Sequence, residues 1–499
     1  MKEGFQKSRQ LKNRTTNGMI LLSVIIFGAI AVSAILAFSG WAYTSLSVAN
    51  SVLHKEQALQ IAEAGADYYR WHLAHAPNDF QDGTGAPGPY THIFKDKDGV
   101  AIGKFVLTIT PPNTGSTIVT IVSEGSVDAY PKVKKRIKTR LAIPSFAKYA
   151  IVANDVMRFG EGTEVFGPIH SNGGIRFDGV AHNLVTSAIS SYDDPDHSGN
   201  NEFGVHTHVN APPSSGVNNS FRSSEAPPTN PVPSRSDIFM TGRQFPVPPA
   251  DFTGITNDIS TIKTNAQSGG KYFAPSGTLG YHIIFKNNDT YDVYKVTNLA
   301  SASGSCSSNS SSGDSTWGTW SIKSSNGETF VANYANPSNG LIFVEDNVWV
   351  DGQINTARIT LAAGKFPDNI STRKSIIVNK NLLYTNYDGQ DALALIAQQD
   401  VLVGMVSDTS FRIDGATMAV NGRVGRKYYS SSCSPYHSRD SITLYGMIGT
   451  NLRYGFAYTD GTGYTNRTII YDANLLYGPP PSFPLTSDKY TTISWEEIK

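Results

Sequence analysis

A mainly β protein carried on one N-terminal helix is the fold class this sequence predicts. A small antiparallel sheet domain follows the helix, and then a large parallel β-solenoid-like ectodomain with a loop-rich insertion; a β-sandwich is the alternative for the large part. Residues 19–38, MILLSVIIFGAIAVSAILAF, hold no charged side chain. At about 1.5 Å rise per residue they make a helix about 30 Å long, the thickness of a bilayer's hydrocarbon core. Behind them, 45 glycines, 26 prolines, 24 tyrosines and 23 phenylalanines stand beside only 16% charged residues. That is the balance of a turn-rich, strand-rich chain, since helical domains are weighted towards Ala, Leu, Glu and Lys. The formal net charge is zero, so no basic excess attracts phosphates and nucleic acid is not an expected partner.

Residues 1–18 form a basic leader in which Lys2, Lys7, Arg9, Lys12 and Arg14 face the single acid Glu3. The positive-inside rule places this end in the cytoplasm and the bulk of the chain outside, at the cell surface. Residues 19–76 read as a transmembrane and stem helix. Beyond the apolar span, Val48, Val52, Leu59, Ala62, Ala66 and Tyr69 keep roughly helical spacing until Pro77 and the Gly/Pro-rich DGTGAPGP end it. A secretory signal has an apolar core of only about 7 to 15 residues, so the span reads as a retained single-pass anchor in membrane lipid. Its small residues, Gly28, Ala31 and Ser33 among them, would let helix backbones approach one another in lipid, where apolar side chains give no drive to associate.

A basic leader ending in Gly18, an apolar helix beginning at Met19 and the continuation ALQIAEAGADYY (58–69) resemble the N-terminus of type IV pilin-like proteins, above all the PilX-type minor pilins. The resemblance covers only residues 1 to about 75. It implies that a prepilin peptidase cuts between Gly18 and Met19, and that the helix then packs with those of other pilin-like subunits. Ser23 stands at the fifth mature position, where major pilins carry Glu, and this departure argues against a major filament subunit.

Residues 90–144 read as a small β domain. KFVLTITPP, STIVTIVSEGSV and VKKRIKTRLAI are rich in Val, Ile and Thr and are separated by turn residues. In the last of these Val133, Ile137 and Leu141 take inward positions, which leaves the lysines and arginines as the solvated face of an edge strand. From residue 146 the texture changes to strands of a few residues between Gly, Asn and Asp, in 146–189 and again in 339–470. A stacked parallel coil needs that pattern: apolar inward positions, and corners that tolerate left-handed φ. Between them, 190–338 reads as a loop-rich insertion. It opens on a Ser/Asn/Pro stretch, carries a helix beginning near Pro249 with Ile255, Ile259 and Ile262, and then a hairpin turning at Asn287, Asn288 and Asp289. Residues 471–499 form a Pro/aromatic strap expected to pack along the coils and cap the last of them.

Little in the sequence points to chemistry. There is no GxSxG, P-loop, HExxH or dinucleotide fingerprint, and the acids of the coils sit at turns, where Asp and Glu need no further explanation. No catalytic residue and no cofactor are predicted. Cys306 and Cys433, the two cysteines, are expected to form a disulfide in an oxidising compartment. His206 and His208 fall on one side of an extended strand, with Asp193, Asp194, Asp196 and His197 just upstream, a pattern open to zinc or calcium. His206, His208, Asp194 and Asp196 are the four candidates singled out, but their Pro/Ser-rich setting favours a solvated polar loop and no metal. The sequence therefore predicts a membrane-anchored, surface-exposed pilin-like protein, a minor pilin or a pilus-associated adhesin or assembly component. Its non-catalytic ectodomain would meet a surface glycan or protein ligand; the alternative is a polysaccharide-degrading enzyme at the cell surface.

Overall fold

The structure is a computed structural model. It describes residues 15–113, 115–252, 255–302, 306, 318–486 and 489–499, with the backbone alone at 15–17 and 255–258. Most of the basic leader, residues 1–14, therefore lies outside the described residues. The chain is mainly β and forms two compact units. One ends at Thr110 and takes in Thr120–Leu141 and Thr492–Lys499; the other comprises Pro111–Val119 and Ala142–Thr491.

The first unit is built on α1 (Thr15–His75), a single helix of 61 residues. Its leading half is apolar and exposed, from Met19 through Val52, and among the described residues this helix alone is long and apolar enough to cross a membrane. The buried face begins only at Ala58 and continues through Ile61, Ala62, Tyr69 and Leu73, a 3.6-residue stripe. Val48 and Val52, expected on that stripe, are exposed. The stripe lies on a sheet of β1 (Tyr90–Lys95), β2 (Ala101–Thr110), β3 (Val119–Val127) and β4 (Tyr130–Ala142), with β1–β2 and β2–β3 antiparallel. Strand β3 alternates as its sequence demands, turning Val119, Ile121, Ser123 and Gly125 inward. Gly125 is required by closeness. A Cβ there would stand 2.1 Å from the Ala58 carbonyl oxygen and 2.4 Å from the Ala62 nitrogen.

Strand β4 is not the edge that its basic face predicts. The C-terminal strand Thr491–Ile498 pairs with it, and Glu496 meets Lys138 at 3.0 Å while Glu497 meets Lys135. The lysine row that would guard a free edge instead selects an acidic strand to cover it. By the same token residues 491–498 do not follow the expected path of the strap. The part before them lies against the second unit, with Leu475 and Phe483 buried, but it does not cap the coil of 447–450, on which Ile151–Ala153 stacks.

In the second unit, parallel strands pair in register along one long ladder. From Lys271–Phe273 it runs through Leu341–Val344, Arg358–Ala363 and Ala392–Ala397 to residues 416–419 and 447–450. It continues through Ile151–Ala153, Ile169–Ser171 and Val185–Ser187 to Arg243–Gln244. The segment 146–189 thus stacks on the C-terminal end of 339–470. The insertion leaves one end of the ladder and rejoins it at the other. Parallel strands covered on both faces read as unbroken apolar runs, and ALALIA (Ala392–Ala397) is buried throughout. Leu393, Leu395 and Ala397 face the main core. Ala392, Ala394 and Ile396 face the other side, in an apolar cluster that also takes in Ile259, Ile262 and Ala266 of α2 (Ile255–Gly269), the helix expected from its isoleucine spacing. The hairpin also forms, Gly280–Phe285 against Thr290–Val296 with Asp289 at φ +61°, and its first strand joins Val348–Gln353 in parallel.

Candidate metal centre

The stretch read from sequence as a solvated polar loop is folded and buried where its histidines lie. Met157–Phe159, Ile175–Phe177 and Val205–His206 form a three-stranded parallel sheet, and Ser191–Tyr192 pairs antiparallel with Glu202–Phe203. Between the two members of that pair the chain turns at Asp194, whose carboxylate accepts the Asp196 backbone N–H at 3.0 Å. Gly204 makes the passage from one sheet to the next possible, since a Cβ there would stand 1.9 Å from the Ile189 carbonyl oxygen.

This path gathers five side chains. Glu202, His206 and His208 are wholly buried and Asp194 nearly so. Glu202 Oε2 lies 3.0 Å from His197 Nε2, 3.1 Å from His206 Nε2 and 3.2 Å from His208 Nε2. Asp194 Oδ2 stands 3.5 Å from His197 Nε2 and 3.6 Å from His206 Nε2. The opposite ring nitrogens all face backbone carbonyls: His197 Nδ1 the Ser198 oxygen at 3.3 Å, His206 Nδ1 that of Phe203 at 3.2 Å, and His208 Nδ1 that of Asn218 at 2.6 Å.

The surround is equally ordered. Arg176, fully buried, donates to Asp178 at 2.7 Å and lies 3.6 Å from Asp194. Asp178 in turn accepts the His208 backbone N–H at 2.8 Å, and Glu202 Oε1 accepts that of Arg222 at 2.9 Å. Burial works against charge on His206, yet the Asp194 and Glu202 carboxylates outweigh it and raise its pKa to about 9. Burial likewise opposes charge on Asp194 and Glu202, and the adjoining His206 holds both well below the usual carboxylate range.

Of the four residues singled out in the sequence, the structure brings together His206, His208 and Asp194. Asp196 goes elsewhere, to Arg453 at 3.1 Å and Arg158 at 3.2 Å. Glu202 is the candidate ligand that sequence reasoning missed. It shares parity with His206 and His208, but the chain passes from one sheet to the next at Gly204, so alternation alone does not place it beside them. Asp155, Asp178 and Asp196 line a nearby cleft of about 790 Å³, but each is engaged. Arg176 holds Asp178, arginines hold Asp196, and the Val156 and Arg453 backbone N–H groups hold Asp155 at 2.7 and 3.2 Å. Cys306 and Cys433 are joined as a disulfide with Cα atoms 4.3 Å apart. Gly28, Ala31 and Ser33 are exposed along α1, and a Cβ at Gly18 or Gly28 would meet nothing within 4 Å.

No protein-family model matches this chain, and no curated protein does. Among solved structures, the crystal structure of competence-associated pilin ComZ from Thermus thermophilus is similar at 14% identity, covering 89% of this chain and 97% of that one, with a TM-score of 0.30. A likeness that slight carries no argument.

Proposed function

We propose that this chain is a membrane-anchored, surface-exposed pilin-like protein of the PilX type, whose parallel β-solenoid ectodomain serves adhesion or pilus assembly without catalysis. One observation carries the reading. A single unbroken helix is bare and apolar over its first half and packed on an antiparallel sheet over its second, the stem-and-head division that the N-terminal resemblance implies. In-register parallel pairing along the large ladder supports a solenoid over a sandwich. The N-terminus would lie in the cytoplasm and the ectodomain outside.

The leader supplies the first test. Cleavage after Gly18 is expected to leave Met19 as the mature N-terminus, read by mass spectrometry of the native protein. An intact Met1 in membranes with active prepilin peptidase would sink the assignment. The anchor supplies another. Gly28→Leu and Ser33→Leu keep the span apolar but remove the small side chains that let helices approach. Both variants are expected to stay in the membrane and to lose crosslinking to other pilin-like subunits. Undiminished crosslinking would make the helix a tether only.

A further inference from the structure

Three imidazoles converge on two carboxylates, and the tautomers decide what that convergence means. Each Nδ1 faces a backbone carbonyl, which only accepts, so each Nδ1 carries a proton. A neutral ring then presents a bare lone pair at Nε2. All three lone pairs would point at carboxylate oxygens, acceptors facing acceptors. Protonating every Nε2 removes that clash but sets imidazolium rings side by side, with centroids 4.9 Å apart for His197–His208 and 5.1 Å for His206–His208. It also leaves a net positive charge in the interior, three rings against two carboxylates, because Arg176 is already matched by Asp178. Buried like charges at that range are strongly disfavoured. Protonating two rings, His206 among them, balances the charge but leaves the third lone pair against Glu202 Oε2.

A doubly charged cation resolves both difficulties. It accepts the His197 and His208 lone pairs, and its charge offsets Asp194 and Glu202. The spacing agrees: with Zn–N and Zn–O bonds of about 2.1 Å, neighbouring ligand atoms stand roughly 3.0 Å apart at right angles and 3.4 Å apart in a tetrahedron. The contacts of the histidine nitrogens with the two carboxylates run from 3.0 to 3.6 Å, and the ligand atoms of Asp194, His197, Glu202 and His208 all lie within 4.8 Å of one another. Among the described residues, Asp194 Oδ2 and His206 Nε2 are buried without a hydrogen bond, although both aim into the cluster. Ring N–H groups held by backbone carbonyls are the usual outer partners of metal-bound histidines.

We propose that Asp194, His197, Glu202 and His208 form a closed, structural site for a divalent first-row transition metal, with zinc as its natural class, and that His206 flanks it against both carboxylates. Imidazole ligands exclude the all-oxygen shells of calcium and magnesium, and the lack of thiolate excludes a soft-metal site. Burial leaves no open coordination position for a substrate. The ion would clamp the Asp194–His197 turn, the Glu202 strand and the His206–His208 strand together, and so hold a polar, proline-rich segment that has little apolar surface of its own to bury.

The test uses the full chain, purified in detergent without added metal. Elemental analysis is expected to find about one zinc ion per chain. Melting in EDTA is expected to lower Tm by at least about 5 °C relative to melting in Zn²⁺, because the chelator traps the ion as the site opens. His208→Gln, which keeps side-chain bulk and polarity, is expected to lose the zinc and the difference between the two melts. His282→Gln, in a histidine–carboxylate cluster elsewhere in the unit, is expected to retain both. A folded parent chain that takes up no zinc when Zn²⁺ is supplied, or that melts alike in EDTA and Zn²⁺, overturns the proposal. So does zinc that persists in His208→Gln. Should His208→Gln fail to fold, the parent chain's zinc content and paired melts decide the matter alone.

Discussion

Gly125→Ala is expected to destabilise the helix-and-sheet unit by about 3 kcal/mol, the upper part of the range for overpacking a tight interior. The added methyl would lie 2.1 Å from the Ala58 carbonyl oxygen and 2.4 Å from the Ala62 nitrogen, well inside van der Waals contact. Both are helix backbone atoms and cannot rotate away as the end of a flexible side chain would. The stem must lift from β3 along a stripe that buries Ala58, Ile61 and Ala62. In a unit of this size the loss corresponds to a melting shift of roughly 10 °C. Thr108→Leu, on the exposed side of β2, is the control and should be close to neutral. Hydrogen exchange of the detergent-solubilised chain provides the local readout, with faster exchange expected in 58–73 and 119–127. A Gly125→Ala protein that exchanges like the parent would show that the helix is not seated on that strand.

The parts of the fold that can be read from sequence are those in which one local pattern decides the outcome. The uncharged run from residue 19 makes α1 unavoidable, the isoleucine spacing marks α2, and Asn287-Asn288-Asp289 between alternating segments marks the hairpin. Short apolar runs between Gly, Asn and Asp announce stacked strands. They do not announce that 146–189 follows 450 in the ladder, because register between distant strands is set by pairing across hundreds of residues and leaves no local trace. The basic row of β4 has the composition of a protected edge; only the acidic Glu496 and Glu497, more than 350 residues further on, show that the row has a partner. The metal candidates illustrate the same limit. His206 and His208 share a face by simple alternation, but their burial depends on the parallel pairing of Val205–His206 with Ile175–Arg176. A Ser/Asn/Pro-rich composition argues against burial until that pairing is known.

Loss of the disulfide is expected to have the largest effect of any single substitution in the ectodomain. Cys306 and Cys433 are separated by 127 residues, and closing a loop of that length restricts the unfolded chain by up to about 5 kcal/mol in the entropic account. The bond also acts locally. Cys433 is buried beside Met405 and Tyr429, and the returning segment 318–322 binds the ladder through backbone groups around it. Thr319 accepts from Met405 N–H at 2.7 Å, and the Trp320 carbonyl accepts from the Trp349 indole at 3.0 Å and from Asn379 at 2.7 Å. Those bonds rest on Trp349, Ile377 and Leu402, a small apolar group beside a long connection, so the cross-link sets how often the segment leaves the sheet. Cys433→Ser is therefore expected to lower Tm by several degrees and to speed hydrogen exchange at 318–322 while sparing the ladder strands. The parent protein, denatured without reductant, is expected to take up no alkylating reagent. Two alkylated cysteines in protein made in an oxidising compartment would show that the bond does not form, and an unchanged Tm in Cys433→Ser would show that it does not stabilise the fold.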